Sequence, residues 1–149
     1  RRHSFPTRRS SDLLPLLFSF AVVFWVSGFD VIYALQDIDF DQSQSLYSIP
    51  SYWGLNKALN LARVLHVFSA SFVVAAYFVG GFNFVYLIGL VVFIGMLIYQ
   101  HSIVKPNDLS KVNIAFMTAN GIASIVFSVF VIASLVLQII ANIPSAIIH

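Results

Sequence analysis

Asp30, Tyr33, Asp37 and Asp41 follow one another at intervals of three, four and four residues. At 3.6 residues per turn, Asp37 lies about 700° round a helix from Asp30, ~20° short of two turns, and Asp41 about 1100° round, ~20° past three. The spacing predicts three carboxylates and a phenol on one helical face, with Asp39 about half a turn away from it. Like charges stacked in this way destabilise a helix by a few tenths of a kcal/mol per pair, and one aspartate at the centre of a membrane helix costs ~2.5–3.5 kcal/mol, less at its end. Such a row calls for a cation. Carboxylates and water suit magnesium, which commonly takes one or two carboxylates together with substrate phosphates. A solvated acidic loop would also gather aspartates. The helical register, and the basic Lys57 and Arg63 that follow, set this stretch apart.

The elements that must hold the row are read from hydropathy. Of 149 residues, 59% are hydrophobic, 15% aromatic and 9% charged, where a soluble domain carries about 25% charged residues. So few charges cannot keep a surface in water, and lipid is the expected solvent. A bilayer span needs ~20 mostly apolar residues. Four stretches meet or approach that length: Leu13 to Phe29, Leu59 to Val79, Phe82 to Tyr99 and Ile114 to Ile140. They are too evenly apolar for barrel strands, which alternate polar and apolar positions. The expected fold class is all-α, a polytopic membrane helical bundle with about four transmembrane helices. Gly80-Gly81 predicts a tight turn, His101 to Asn113 a polar loop, and Asp30 to Ala58 the longest polar stretch. Ser110 is the expected cap of the last helix, its hydroxyl accepting an orphan amide hydrogen.

There is no cysteine, which excludes disulfides, thiolate metal sites and cysteine nucleophiles. Arg1, Arg2, Arg8 and Arg9 supply half of the eight basic residues. They lie in a polar head whose stretch His3 to Leu13, HSFPTRRSSDL, reads codon for codon as a translated sequencing-library adapter. The alternatives are a disordered basic tail or a secretory signal with a weak cleavage site near Ser27-Gly28. Residues 1–13 are therefore set aside as an expected disordered artefact, with 14–149 as part of a single membrane domain whose true start is missing. Without the head, four basic residues face five aspartates, and no nucleic-acid reading survives. The remaining basic residues, Lys57, Arg63, Lys105 and Lys111, all fall in or within a turn of the two polar loops. Two spans separate those loops, so they share a side of the membrane. The excess of lysine and arginine makes that side cytosolic.

The stretch Gly28 to Gly54, GFDVIYALQDIDFDQSQSLYSIPSYWG, resembles the second aspartate-rich motif of the UbiA-type prenyltransferases. The family pattern Asp-x-x-Tyr-x-x-x-Asp-x-x-x-Asp is met by Asp30, Tyr33, Asp37 and Asp41, and Ser48-Ile49-Pro50 matches its usual continuation. Tyr99 to Gly121, YQHSIVKPNDLSKVNIAFMTANG, is similar to the 4-hydroxybenzoate polyprenyltransferase-like branch, with Gln100 where relatives often carry an acidic residue. By fold-level analogy the resemblance implies a bundle of about nine helices, of which this chain would be the C-terminal four. The first motif, of the Asn-Asp-x-x-Asp type, has no counterpart here, in keeping with a lost N-terminal half.

The resemblance also implies a reaction: magnesium-dependent transfer of a polyprenyl group from its diphosphate to an aromatic acid, in a bacterial inner membrane. An acceptor like 4-hydroxybenzoate would place it in ubiquinone synthesis; a dihydroxynaphthoate would place it in menaquinone synthesis. Asp30, Asp37 and Asp41 are then the expected magnesium and diphosphate ligands. Tyr33 would orient a carboxylate or face the allylic cation. Lys57, Arg63 and Asn113 are candidate substrate contacts, and the basic pair would serve equally as cytosolic anchors. The fragment alone is expected to be inactive.

Other polar residues read as structure. His66 and His101 could form a two-histidine metal site, but no local spacing supports one, and hydrogen-bonded histidines are the expectation. Asn113 and Asn120, seven apart, are predicted to share a face, with Asn120 bonding a neighbouring helix, and Gly121, Ser124 and Ser128 form a small-residue stripe for close packing. A rival of another class is a cation transporter with aspartates lining an ion path, but that would set carboxylates near the midplane in broken helices. A membrane scaffold without chemistry leaves the aspartate register unexplained.

Overall fold

A computed structural model describes residues 8–142 of the chain. The first element, α1, runs Arg8–Tyr33 and passes through a 3-10 turn, Ala34–Asp37, into the short α2, Ile38–Ser43. A five-residue α3 (Ile49–Trp53) precedes the long α4 (Leu55–Gly80) and α5 (Phe84–Ile103). A π-helical turn, Ile114–Ala119, then opens α6 (Asn120–Ala141). No strand occurs among the described residues. Four helical segments are long and apolar enough to cross a membrane: Leu13–Ser43, Leu55–Gly80, Phe84–Ile103 and Ile114–Ala141. The four expected spans are all present, the first longer than hydropathy suggested because the helix runs on through the aspartates. The chain is an integral membrane protein. Of the expected disordered artefact, residues 1–13, residues 1–7 lie outside the described residues, and Arg8 to Leu13 form the start of α1.

Helix α1 packs along α4, and α5 along α6. In lipid this pairing draws on van der Waals packing and internal hydrogen bonds rather than on water exclusion. Small residues permit the close approach. Ala58, Ala62 and Ala76 of α4 are fully buried, and the Ser69 hydroxyl donates to the Ala21 carbonyl at 2.8 Å. One core cluster, at the aspartate end, gathers Val31, Ile32 and Leu35 against Leu59, Val104 and Val112. A second, aromatic cluster lies further along, around Phe82, Tyr86 and Phe93.

The Gly80-Gly81 turn forms as expected. Gly81 takes the left-handed conformation (φ 57°, ψ 33°), and its amide closes on the Tyr77 carbonyl, the usual way an α-helix ends on glycine. Asn83 caps α5, its Oδ1 accepting from the Val85 amide at 2.9 Å. The same oxygen accepts from the Ser134 hydroxyl at 3.0 Å, which ties the turn to α6.

Two expectations are corrected at the other loop. Ser110 does not cap the last helix: its hydroxyl and amide both donate to Asp108 Oδ1, at 2.5 and 3.1 Å. A carboxylate two residues back offers a nearer and stronger acceptor, an Asx-type turn. Those bonds hold the Asp108 carboxyl below its ordinary value. Asn113 and Asn120 do not share a face. The π turn between them widens the helix, so Asn113 is exposed and Asn120 buried.

Candidate functional site

The aspartates sit where α1 stops being an α-helix. Asp30 lies in its last turn, exposed, on the wall of a cavity of about 380 Å3 that it shares with Ser27, Ala34, Pro50, Leu61 and Leu65. Beyond Tyr33 the chain tightens to a 3-10 turn, anchored by Leu35, which is 0% exposed. At three residues per turn, the four residues to Asp37 advance about 80° further than an α-helix would. Asp37 closes the turn at φ −97°, ψ 5°, and Asp41 in α2 carries the offset on. The single face expected of a continuous α-helix is thereby corrected to a fan. Asp37 and Asp39 are exposed and Asp41 half-buried. Among the described residues no three His, Cys, Asp or Glu side chains converge as a metal cage.

The loop after the row is tightly folded. The Leu46 amide returns to the Asp41 carbonyl at 2.8 Å, and Ser45 turns the chain with φ 54°. Ser48 and Ser51 form a reciprocal capping box at the start of α3, which buries Pro50 under Asp30's cavity. Ile49 and Pro50 of this segment line the cavity beside Asp30.

Lys57 is exposed on the first turn of α4, four residues before Leu61 and so on the stripe that lines the Asp30 cavity. Arg63 is not: it lines a different cleft, between α4 and α5, and donates to Asn60 Oδ1 at 2.6 Å. Asn113 is exposed three residues before Phe116, at the same end of the bundle as the aspartates.

Tyr33 begins an aromatic column that runs away from the row. Its ring centroid lies 4.4 Å from that of Phe116, Phe116 is 5.3 Å from Phe29, and Phe29 is 6.1 Å from Trp25. Trp25 lies 5.3 Å from Phe93, and Phe93 is 5.3 Å from Phe127. The column opens on a cavity of about 320 Å3 walled by Phe18, Trp25, Phe93, Phe127 and the Ser124 and Ser128 side of α6. Trp25 Nε1 is buried without a hydrogen-bond partner among the described residues.

A model of the UbiA prenyltransferase family matches residues 4–124. The chain belongs to the UbiA prenyltransferase family. The UbiA match takes in the aspartate row, Lys57, Arg63, Asn113 and Phe116, together with all of α4 and α5. No curated protein and no solved structure matches the chain. Membership makes this a membrane protein of a prenyl-transferring class.

The extension of the histidine pair to Gln100 and Trp25 was not legible in the sequence. His66 Nδ1 lies 2.8 Å from both His101 Nε2 and the Gln100 side-chain nitrogen, and His66 Nε2 is 3.2 Å from the Trp25 carbonyl. That carbonyl can only accept, so Nε2 carries the proton, and the single lone pair of Nδ1 lies within reach of both neighbouring nitrogens. His66 and His101 are hydrogen-bonded, as expected, and among the described residues no third ligand joins them as a metal site. The one available signal was Gln100, a polar residue near the end of an apolar span; its partner is 34 residues away.

Proposed function

We propose that the chain carries the second aspartate motif of an enzyme transferring a polyprenyl group from polyprenyl diphosphate to an aromatic acid resembling 4-hydroxybenzoate, in quinone biosynthesis. The observation that carries the reading is the Asp30–Tyr33–Asp37–Asp41 row at the head of an aromatic column leading to a cavity. That cavity is about twice the ~150 Å3 that accommodates benzene, room for about ten to twelve carbons of a prenyl tail. Trp25 lies five residues from Asp30, about 7.5 Å along the helix, so a chain hanging from the row reaches the cavity within its first units.

The donor set fits magnesium. It is all carboxylate, exposed and fanned rather than caged, which suits a cation that completes its shell with substrate phosphates and water. Fanned as they are, Asp30, Asp37 and Asp41 would reach magnesium singly or in pairs, with phosphate and water completing the shell; when bound, magnesium neutralises charge developing on the departing diphosphate. Lys57, on the Asp30 side of α4, adds a positive charge for the same oxygens. The C–O bond to diphosphate breaks with its electron pair on the leaving group, giving an allylic cation. Tyr33, backed by Phe116, would offer that cation an aromatic face. The apolar column excludes water that would quench it. The acceptor ring attacks ortho to its phenolic oxygen, and the ring proton passes to a carboxylate or to diphosphate. Asn113 is placed to contact the acceptor.

The reading sets the loops on the cytosolic face of a bacterial inner membrane. It pairs this row with a first aspartate motif on a preceding half-bundle of the same protein, without which the chain alone is inactive. A dihydroxynaphthoate acceptor, for menaquinone, is the variant within the same chemistry. The test is an assay of membranes that carry the whole reading frame, given magnesium, a labelled polyprenyl diphosphate and a panel of aromatic acids. Transfer to a hydroxybenzoate that stops with EDTA is expected. Metal-independent transfer, or none to any aromatic acid, refutes the proposal.

A further inference from the structure

Arg63 and His101 take no part in that chemistry. They lie instead at the mouth of a cleft of about 440 Å3 between α4 and α5. The two helices are joined by the Gly81 turn, yet each packs chiefly on another partner, α4 on α1 and α5 on α6. They leave this cleft between them, crossed near the loop end where His66 Nδ1 lies 2.8 Å from His101 Nε2. The cleft is ordered along its length. Arg63, His101 and Ser102 line the end near the loops, and Val67, Ala70 and Ile98 line the part toward the membrane interior.

Depth fits a lipid. Helix α4 has 26 residues, about 39 Å, against a hydrocarbon core of ~30 Å. Arg63 is eight residues from its start, about 12 Å in, so its backbone lies inside the hydrocarbon edge and its long side chain reaches the headgroup level. His101 is two residues from the end of α5, at the matching level. The guanidinium has five N–H donors in a fork suited to phosphate, and Asn60 takes one of them.

We infer that this cleft binds one anionic phospholipid, with its phosphate on Arg63 and one acyl chain along Val67, Ala70 and Ile98. Charge and order together select this occupant. A free anion gains nothing from the apolar wall. A zwitterionic lipid brings its own cation to the headgroup level and gains less from the arginine. Basic pockets between membrane helices on the cytosolic side are where anionic headgroups dock. The inference is independent of the prenyl-transfer reading, since no aspartate lines the cleft.

The test is native mass spectrometry of the full chain, delipidated in detergent and offered equal amounts of phosphatidylglycerol and phosphatidylcholine with identical acyl chains. Preferential retention of phosphatidylglycerol, about fivefold, is expected from a single arginine at the surface. Arg63→Gln should abolish the preference, Arg63→Lys should keep part of it, and Lys111→Gln, the same charge loss outside the cleft, should leave it intact. Ala70→Trp, which fills the apolar part, should lower retention of phosphatidylglycerol with Arg63 still present. Equal retention of the two lipids by the unmodified chain overturns the proposal. So does a preference that survives Arg63→Gln, or complete displacement of the lipid by inorganic phosphate, which would mark a bare anion site. Helical circular dichroism of each variant confirms that it is folded, and the Lys and Trp variants keep the question decidable if Arg63→Gln is not.

Discussion

The ring of Tyr33 lies 4.4 Å from the ring of Phe116, centroid to centroid, at an interplanar angle of 34°. This contact joins the last turn of α1 to the π turn that opens α6. It fixes the tyrosine of the aspartate motif against a residue 83 positions later. An aromatic pair of this kind contributes about 1 kcal/mol beyond burial. Tyr33→Phe should therefore leave the stability of the bundle unchanged, while Phe116→Ala should lower it by more than about 1 kcal/mol, the pair term plus the lost burial, and reduce transfer. Thermal unfolding in detergent, alongside the transfer assay, separates the two effects. Equal loss of stability in both variants would show that the hydroxyl, not the ring stack, carries the contact.

Leu35 is the buried peg of the 3-10 turn between Asp30 and Asp37. Leu35→Ala should cost about 2 kcal/mol or more through the cavity it leaves. It should also weaken magnesium-dependent binding of a non-reactive polyprenyl diphosphate analogue, because the turn that aims Asp37 loses its anchor. A variant that unfolds earlier yet binds the analogue as before would separate the turn from the site.

Gly28 marks a close approach of α1 to the His66 ring of α4. A Cβ at this position would lie 2.3 Å from the His66 ring, and that ring is held on three sides by Trp25, Gln100 and His101. Gly28→Ala should destabilise the bundle by about 1–3 kcal/mol, the range for overpacking a tight site. A second change, His66→Ala, should recover most of that loss. Without such recovery the clash is not with His66.

The spans and the turn at Gly81 could be read from the order of residues because each depends on local signals: a long apolar run, a pair of glycines. The aspartate motif was visible for the same reason. What escaped depends on competition between local geometries or on distant partners. The spacing of Asp30, Asp37 and Asp41 suits an ideal α-helix, but burying Leu35 draws the backbone into a 3-10 turn and fans the carboxylates. Asn113 and Asn120 keep a seven-residue spacing that the π turn makes irrelevant. Ser110 had the chemistry of a cap, and Asp108 captured it first. Arg63 seemed to belong with Lys57 by proximity in sequence. Six residues along a helix, however, is about 600°, which turns it some 120° from Lys57 and into another cleft.

On the proposed function, the row at Asp30, Asp37 and Asp41 binds magnesium diphosphate as a motif rather than as a patch of negative charge. Asp37 and Asp39 test it directly: both are exposed, two residues apart, and equal in charge. The decisive measurement is prenyl transfer by the intact protein in membranes, comparing Asp37→Ala with Asp39→Ala at matched expression. Loss of about a hundredfold or more for Asp37→Ala, the scale for removing one transition-state charge partner, with Asp39→Ala within about threefold of the unmodified protein, is the predicted result. Equal losses in the two variants, or transfer that survives Asp37→Ala, would contradict it.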